Sequence, residues 1–150
     1  MSNYNVSMRQ NNAVALMSRI REKANKLIIS ELEKHGIEGI VPSHGEILFH
    51  LFGGNTYTMK ELAEKIHRTK PTVTVLIDKL VDYGYVTKEK SLEDNRVTFI
   101  KLTEKALQLE PAFQDITAKL NSLVYCGLTD QESMQLEKML YIIHQNFEAE

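Results

Sequence analysis

The stretch from Thr58 to Thr103 changes its apolar period partway along, and no other segment restricts the possible folds so tightly. Up to Gly84 the spacing is helical. Val73, Leu76, Ile77 and Leu80 fall at i, i+3, i+4 and i+7, one stripe that packs on Leu62, Ala63 and Ile66 of a shorter preceding helix. Beyond Gly84, Tyr85 to Lys90 and Arg96 to Leu102 are rich in Val, Thr, Phe, Ile and Tyr, and the turn-forming run Ser91-Leu92-Glu93-Asp94-Asn95 separates them. That pattern predicts a β-hairpin. A short helix, a tight break, a longer helix and a hairpin make a winged helix-turn-helix, so the fold class is mainly α with a small β-hairpin wing.

Local punctuation places the other elements. Three Ser/Thr-x-x-Glu capping boxes stand where apolar periodicity begins: Ser43 with Glu46, Thr58 with Glu61, and Thr129 with Glu132. Leu102 and Leu107 flank Thr103 at the spacing of a hydrophobic staple. Gly36, Gly53, Gly84 and Gly127 follow periodic stretches and supply the stops. The expected helices are 11–35, 43–52, 59–67, 70–83, 104–126 and 130–147, with a kink at Pro111, which removes the backbone bond to Leu107. Residues 43–103 then form the winged helix-turn-helix. The flanks 11–42 and 104–150 form a helical dimerisation region drawn from both termini of one single-domain chain.

The flanking helices carry apolar stripes with little else to bury against: Leu107, Phe113, Ile116, Leu120, Leu123 and Val124, then Leu136, Met139, Leu140, Ile143 and Phe147. Together with Val14, Met17, Ile20, Leu27 and Ile28 they predict an antiparallel homodimer interface. An intrachain bundle is the alternative. Dimerisation is favoured because one recognition helix reads few base pairs, whereas two spaced by a turn of DNA, about 34 Å, read a two-fold site.

Composition excludes several classes. At 150 residues and 43% apolar, the chain suffices for one packed domain. No apolar run reaches the roughly 18 residues of a membrane span, and the polar opening Met1 to Asn12 lacks a signal-peptide core, so a cytoplasmic protein is expected. Cys126, the single cysteine, forms neither an internal disulfide nor a thiolate metal site, and reads as a small buried or interface residue. The five histidines, His35, His44, His50, His67 and His144, show no pair at ligand spacing, so no metal is expected. There is no Gly-rich phosphate loop, nucleophile elbow or His-Glu-x-x-His, hence no enzyme activity and no cofactor. The net charge of −2 hides an asymmetry: residues 56–103 carry nine basic and seven acidic side chains, residues 104–150 three and eight.

The face of the longer helix opposite its buried stripe shows Lys70, Pro71, Thr72, Thr74 and Val75 at the N-terminal end, the end with which a recognition helix reads the major groove. Lys70 has the chemistry for guanine or phosphate, Thr72 and Thr74 for either, and Val75 for a thymine methyl. The hairpin adds Lys88, Lys90 and Arg96; a wing arginine enters the minor groove, and Asp94, two residues earlier, is placed to orient it. The partner expected is double-stranded DNA. As an alternative, winged helices also serve as protein-interaction modules, and then Lys70, Thr72 and Thr74 are a solvated face with no DNA role.

The order helix, helix, Gly-aromatic-Val, then Asp94-x-Arg96 followed by Leu102-Thr103, resembles the MarR family of winged-helix regulators over nearly the whole chain. The resemblance implies a homodimer on a pseudo-palindromic operator, usually repressing, and released by a small phenolic, aromatic or lipid-like effector or by oxidation. It makes Lys70, Thr72 and Thr74 groove contacts, Arg96 the wing arginine and Asp94 its brace. Two positions depart: Val75 stands where many relatives have a basic residue, and His67 where the turn often has glycine. An effector pocket is expected between the dimer helices and the winged domain, lined by Met17, Arg21, His50 and Tyr57.

Overall fold

The computed structural model describes residues 11–150; residues 1–10, most of the polar opening judged above to lack a signal-peptide core, lie outside the described residues. Helix α1 runs Ala13–Lys34 and α2 Pro42–Leu51, followed by a two-residue strand β1, Tyr57–Thr58. Helices α3, Met59–Lys65, and α4, Lys70–Asp82, form the helix-turn-helix. Strands β2, Val86–Lys90, and β3, Thr98–Leu102, form the hairpin; α5, Glu104–Leu107, α6, Glu110–Val124, and α7, Asp130–Glu148, complete the chain. Among the described residues no helix is long and apolar enough to cross a membrane.

The core centres on the winged domain and takes in Leu32 of α1 and Phe113 and Ile116 of α6. Ile47, Leu48 and Leu51 of α2, Leu62 of α3, and Val73, Ile77 and Leu80 of α4 are fully buried with Val86, Ile100 and Ala106. The helical stripe read from the sequence is therefore the core face of α4, although Leu76 lies at its edge and is only partly buried. Gly84 closes α4 at φ 77, a value that costs glycine little. There Tyr85 N–H donates to Leu80 O and Gly84 N–H to Val81 O, which satisfies two terminal carbonyls and sends the chain into β2.

Four expectations change. The wing is a three-stranded antiparallel sheet ordered β1-β3-β2, because Tyr57 and Thr58 pair with Ile100 and Phe99. The capping boxes at Thr58 and Thr129 form, but Ser43 lies inside α2; the cap residue is Val41, whose N–H donates to His44 Nδ1 at 3.1 Å. The expected helix 104–126 is two helices, with Pro111 in the first turn of α6, where its missing N–H has no intrahelical partner to lose. Phe113 and Ile116 belong to the chain's own core, the Phe113 ring tilted 59° against Phe52 at 5.3 Å between centroids, and so leave the dimer stripe.

Glu31 joins α1 to α6. It is 8% exposed and accepts hydrogen bonds from Lys119 Nζ at 2.6 Å and Lys34 Nζ at 2.9 Å. The Lys119 bond above all, with Lys34 second, holds its carboxyl at a pKa of about 2, below its ordinary 4.5. Helix α7 has no buried residue among those described; Tyr125, just past α6, donates its hydroxyl to Glu137 on α7.

Candidate nucleic-acid interface

The turn between α3 and α4 sets the direction of α4. Ile66 caps α3, and His67 follows with φ 53, the left-handed conformation that usually selects glycine. Arg68 N–H returns to Ala63 O at 3.1 Å and His67 N–H to Glu64 O at 3.3 Å, the same closure that Gly84 makes after α4. Thr69 then caps α4, its hydroxyl oxygen accepting from Thr72 N–H at 3.4 Å. Sequence reading passed over Thr69, although a threonine two residues ahead of Pro71 is itself a helix-start signal.

On α4, Lys70, Pro71, Thr72 and Val75 are exposed, Val75 to 70%, and Thr74 is half-buried. The Thr74 hydroxyl donates to Lys70 O at 2.9 Å, which leaves its oxygen lone pairs for an incoming donor. Thr72 Oγ1 lies 3.0 Å from Thr69 Oγ1, so the pair shares one hydrogen and offers the other outward. With Lys70 beside them, these groups line the end of α4 with donors and acceptors next to the apolar Val75.

The wing is ordered by its own side chains. Ser91 Oγ accepts from the backbone N–H of Glu93 at 3.2 Å and Asp94 at 3.3 Å, while Ser91 N–H donates to Val97 O. Asp94 Oδ1 accepts from Arg96 N–H at 3.0 Å and Arg96 Nε at 3.2 Å. The expected brace is therefore present, and it leaves the Arg96 side chain 92% exposed. Lys90 is exposed at the end of β2. Lys88 instead turns toward α4 and pairs with Asp78, tying wing to helix. Ser91, which organises the tip, and Leu92, fully exposed beside it, were not singled out from the sequence.

The residues expected to line one effector pocket divide among different places. Arg21 lines a cavity of about 560 Å³ between α1, α2, the α3–α4 turn and α6, with Asn25, Ile28, Phe49, Phe113 and Leu120. His50 and Tyr57 line a second cavity of about 590 Å³ with Phe52 and Asn121. Met17 lines neither. Phe49 and Phe113 stand in the walls of both. His44, close by, is buried with its pKa lowered, first by burial and then by the charge of Lys79. Cys126, expected to be buried or at an interface, is exposed on this chain.

Residues 40–98 match the MarR family. The chain is 32% identical over 78 residues to the HTH-type transcriptional repressor IacR of Pseudomonas putida, a match covering 52% of this chain and 47% of that protein, so it spans about half that relative's length. It is 25% identical over 126 residues to the HTH-type transcriptional regulator MhqR of Bacillus subtilis, covering 83% of this chain and 84% of the relative. Its backbone matches the crystal structure of the S. aureus MepR–DNA complex with a TM-score of 0.80 at 22% identity, over 89% of this chain and 97% of that one.

Proposed function

We propose that this chain, whose residues 40–98 match the MarR family, is a sequence-specific, double-stranded-DNA-binding transcriptional regulator acting in the cytoplasm as a homodimer. The observation that carries the reading is the pairing of an exposed polar end on α4 with an arginine at the wing tip, held by Asp94 and turned to solvent. Lys70, Pro71, Thr72, Thr74 and Val75 meet base edges and phosphates of the major groove. Arg96 enters the neighbouring minor groove, with Lys90 on the adjacent backbone. Lys88 serves chiefly to hold the wing against α4 through Asp78. The role is binding, with no reaction assigned.

A homodimer is supported by the apolar side chains the flanking helices leave in solvent: Val14 and Ile20 of α1, Leu123 of α6, and Met139, Leu140 and Phe147 of α7. A second copy covers them and presents two recognition helices to a pseudo-palindromic operator. The cavity beside Arg21 suits a small aromatic or lipid-like anion: Ile28, Leu32, Phe49, Phe113 and Leu120 give it an apolar side, its volume lies in the range of ligand pockets, and Arg21 and Arg68 outweigh the single carboxylate of Glu46. Because α1, α6 and the α3–α4 turn all border it, an occupant alters how the recognition helix sits on the dimer helices and so represses or releases; coupling of about 1–3 kcal/mol makes a usable switch.

The test is selection of duplexes from genomic fragments, followed by anisotropy titrations at several salt concentrations. The expected result is a two-fold related site whose affinity falls steeply with salt and falls by about 1–3 kcal/mol in Arg96→Ala. If no sequence is enriched and the substitution changes nothing, the winged domain is a protein-interaction module instead.

A further inference from the structure

The fold brings together three side chains that are far apart in sequence or unremarkable within it. His67 projects from the turn ahead of α4, while His144 and Glu148 stand one helical turn apart near the end of α7. The two imidazole rings lie 4.8 Å apart between centroids at 63°, and His144 Nε2 is 3.7 Å from Glu148 Oε1. One ligand atom from each residue lies within 4.8 Å of the other two. We propose that His67, His144 and Glu148 form a binding site for a divalent transition-metal ion of the zinc type, joining the helix-turn-helix to the C-terminal helix.

The donor chemistry fits that class. Two imidazole nitrogens and one carboxylate oxygen suit zinc and its late first-row neighbours, whereas calcium and magnesium require oxygen donors throughout. Three protein ligands leave the fourth tetrahedral position to water. Bond lengths of about 2.0–2.2 Å place ligand atoms about 3.3–3.6 Å apart around a tetrahedral ion, so the widest separation in the cluster has to contract by up to about 1.5 Å. All three side chains are exposed or half-buried, and rotamer adjustments suffice for that contraction. His67 also holds a left-handed backbone conformation where glycine would be unstrained, and the conformation delivers its ring to the α7 side of the turn. Sequence spacing gave no sign of the cluster because only the packing of α7 against the turn brings His67 and His144 together.

The ligands are neither on the exposed end of α4 nor on the wing, and His67 is the one among them that also lines the cavity beside Arg21. The experiment takes the full chain stripped with a chelator and titrates Zn²⁺ in competition with a fluorescent indicator, then records the visible spectrum with Co²⁺. The expected result is one ion per chain and a cobalt spectrum without the thiolate charge-transfer band that Cys126 would give. Replacing even an outer-sphere partner of a metal ligand costs about 10–100-fold in affinity, so loss of a direct ligand in His67→Gly, His144→Ala or Glu148→Gln weakens binding by about 100-fold or more. Thermal melts of the stripped proteins verify that each variant is folded, and Zn²⁺ raises the melting temperature of the wild type alone. Absence of stoichiometric binding, a thiolate band, or affinity that survives the substitutions overturns the proposal.

Discussion

At the scale of single residues, His67 and Glu31 make opposite kinds of contribution. A side chain at φ 53 carries a backbone cost of roughly 1–2 kcal/mol that glycine does not, partly offset by the greater chain entropy glycine loses on folding. His67→Gly is therefore expected to raise the stability of the metal-free protein by up to about 1 kcal/mol, read from the urea midpoint; a lower midpoint would mean that the ring contact with His144 outweighs the strain. Glu31 is stabilising only while ionised. Its folded pKa of about 2 is below the ordinary 4.5, so its contribution is present above 4.5 and is lost as pH falls through that interval toward 2. Melting temperatures followed across the interval should fall more for wild type than for Glu31→Gln, and parallel curves would show that Lys119 and Lys34 do not stabilise the fold through this carboxylate.

At the scale of elements, what decides a boundary is where unsatisfied backbone groups find partners. Pro111 is harmless because the chain breaks after Leu107 and restarts at Glu110, which puts the proline in the one turn that needs no amide donor. Pro111→Ala should accordingly shift stability by less than about 1 kcal/mol and leave the helical circular dichroism unchanged. A clear gain in both would show that the proline imposes the break between α5 and α6. Strand β1 is the contrasting case: two residues are too few for any periodicity, and Tyr57–Thr58 becomes a strand only because the edge of β3 offers partners. Thr58 serves both elements, pairing with Phe99 and capping α3 through Glu61.

At the scale of the whole molecule, the buried core lies mainly within the winged domain, while α7 and much of α1 face solvent with apolar side chains. If a second copy covers those helices, sedimentation should give a dimer whose melting temperature falls on dilution. Leu140→Arg, which places a charge on the exposed face of α7, should shift the chain to monomer and abolish binding to the two-fold operator while the winged domain stays folded. A substituted protein that remains dimeric places the interface elsewhere.

The sequence by itself determined what depends on neighbours within about four residues. The stripe Val73, Ile77, Leu80 selects the core face of α4, the caps at Thr58 and Thr129 place two helix starts, and Asp94-x-Arg96 specifies a braced arginine, because each signal lies within a turn of helix or a hairpin. Tertiary structure decided the rest: which strand edge Tyr57 joins, that Glu31 meets Lys119, that Arg21 and His50 face different cavities, and that His67 meets His144. These pairings depend on which faces of distant elements come into contact. That is set by burying the whole apolar surface at once, a property no local spacing records.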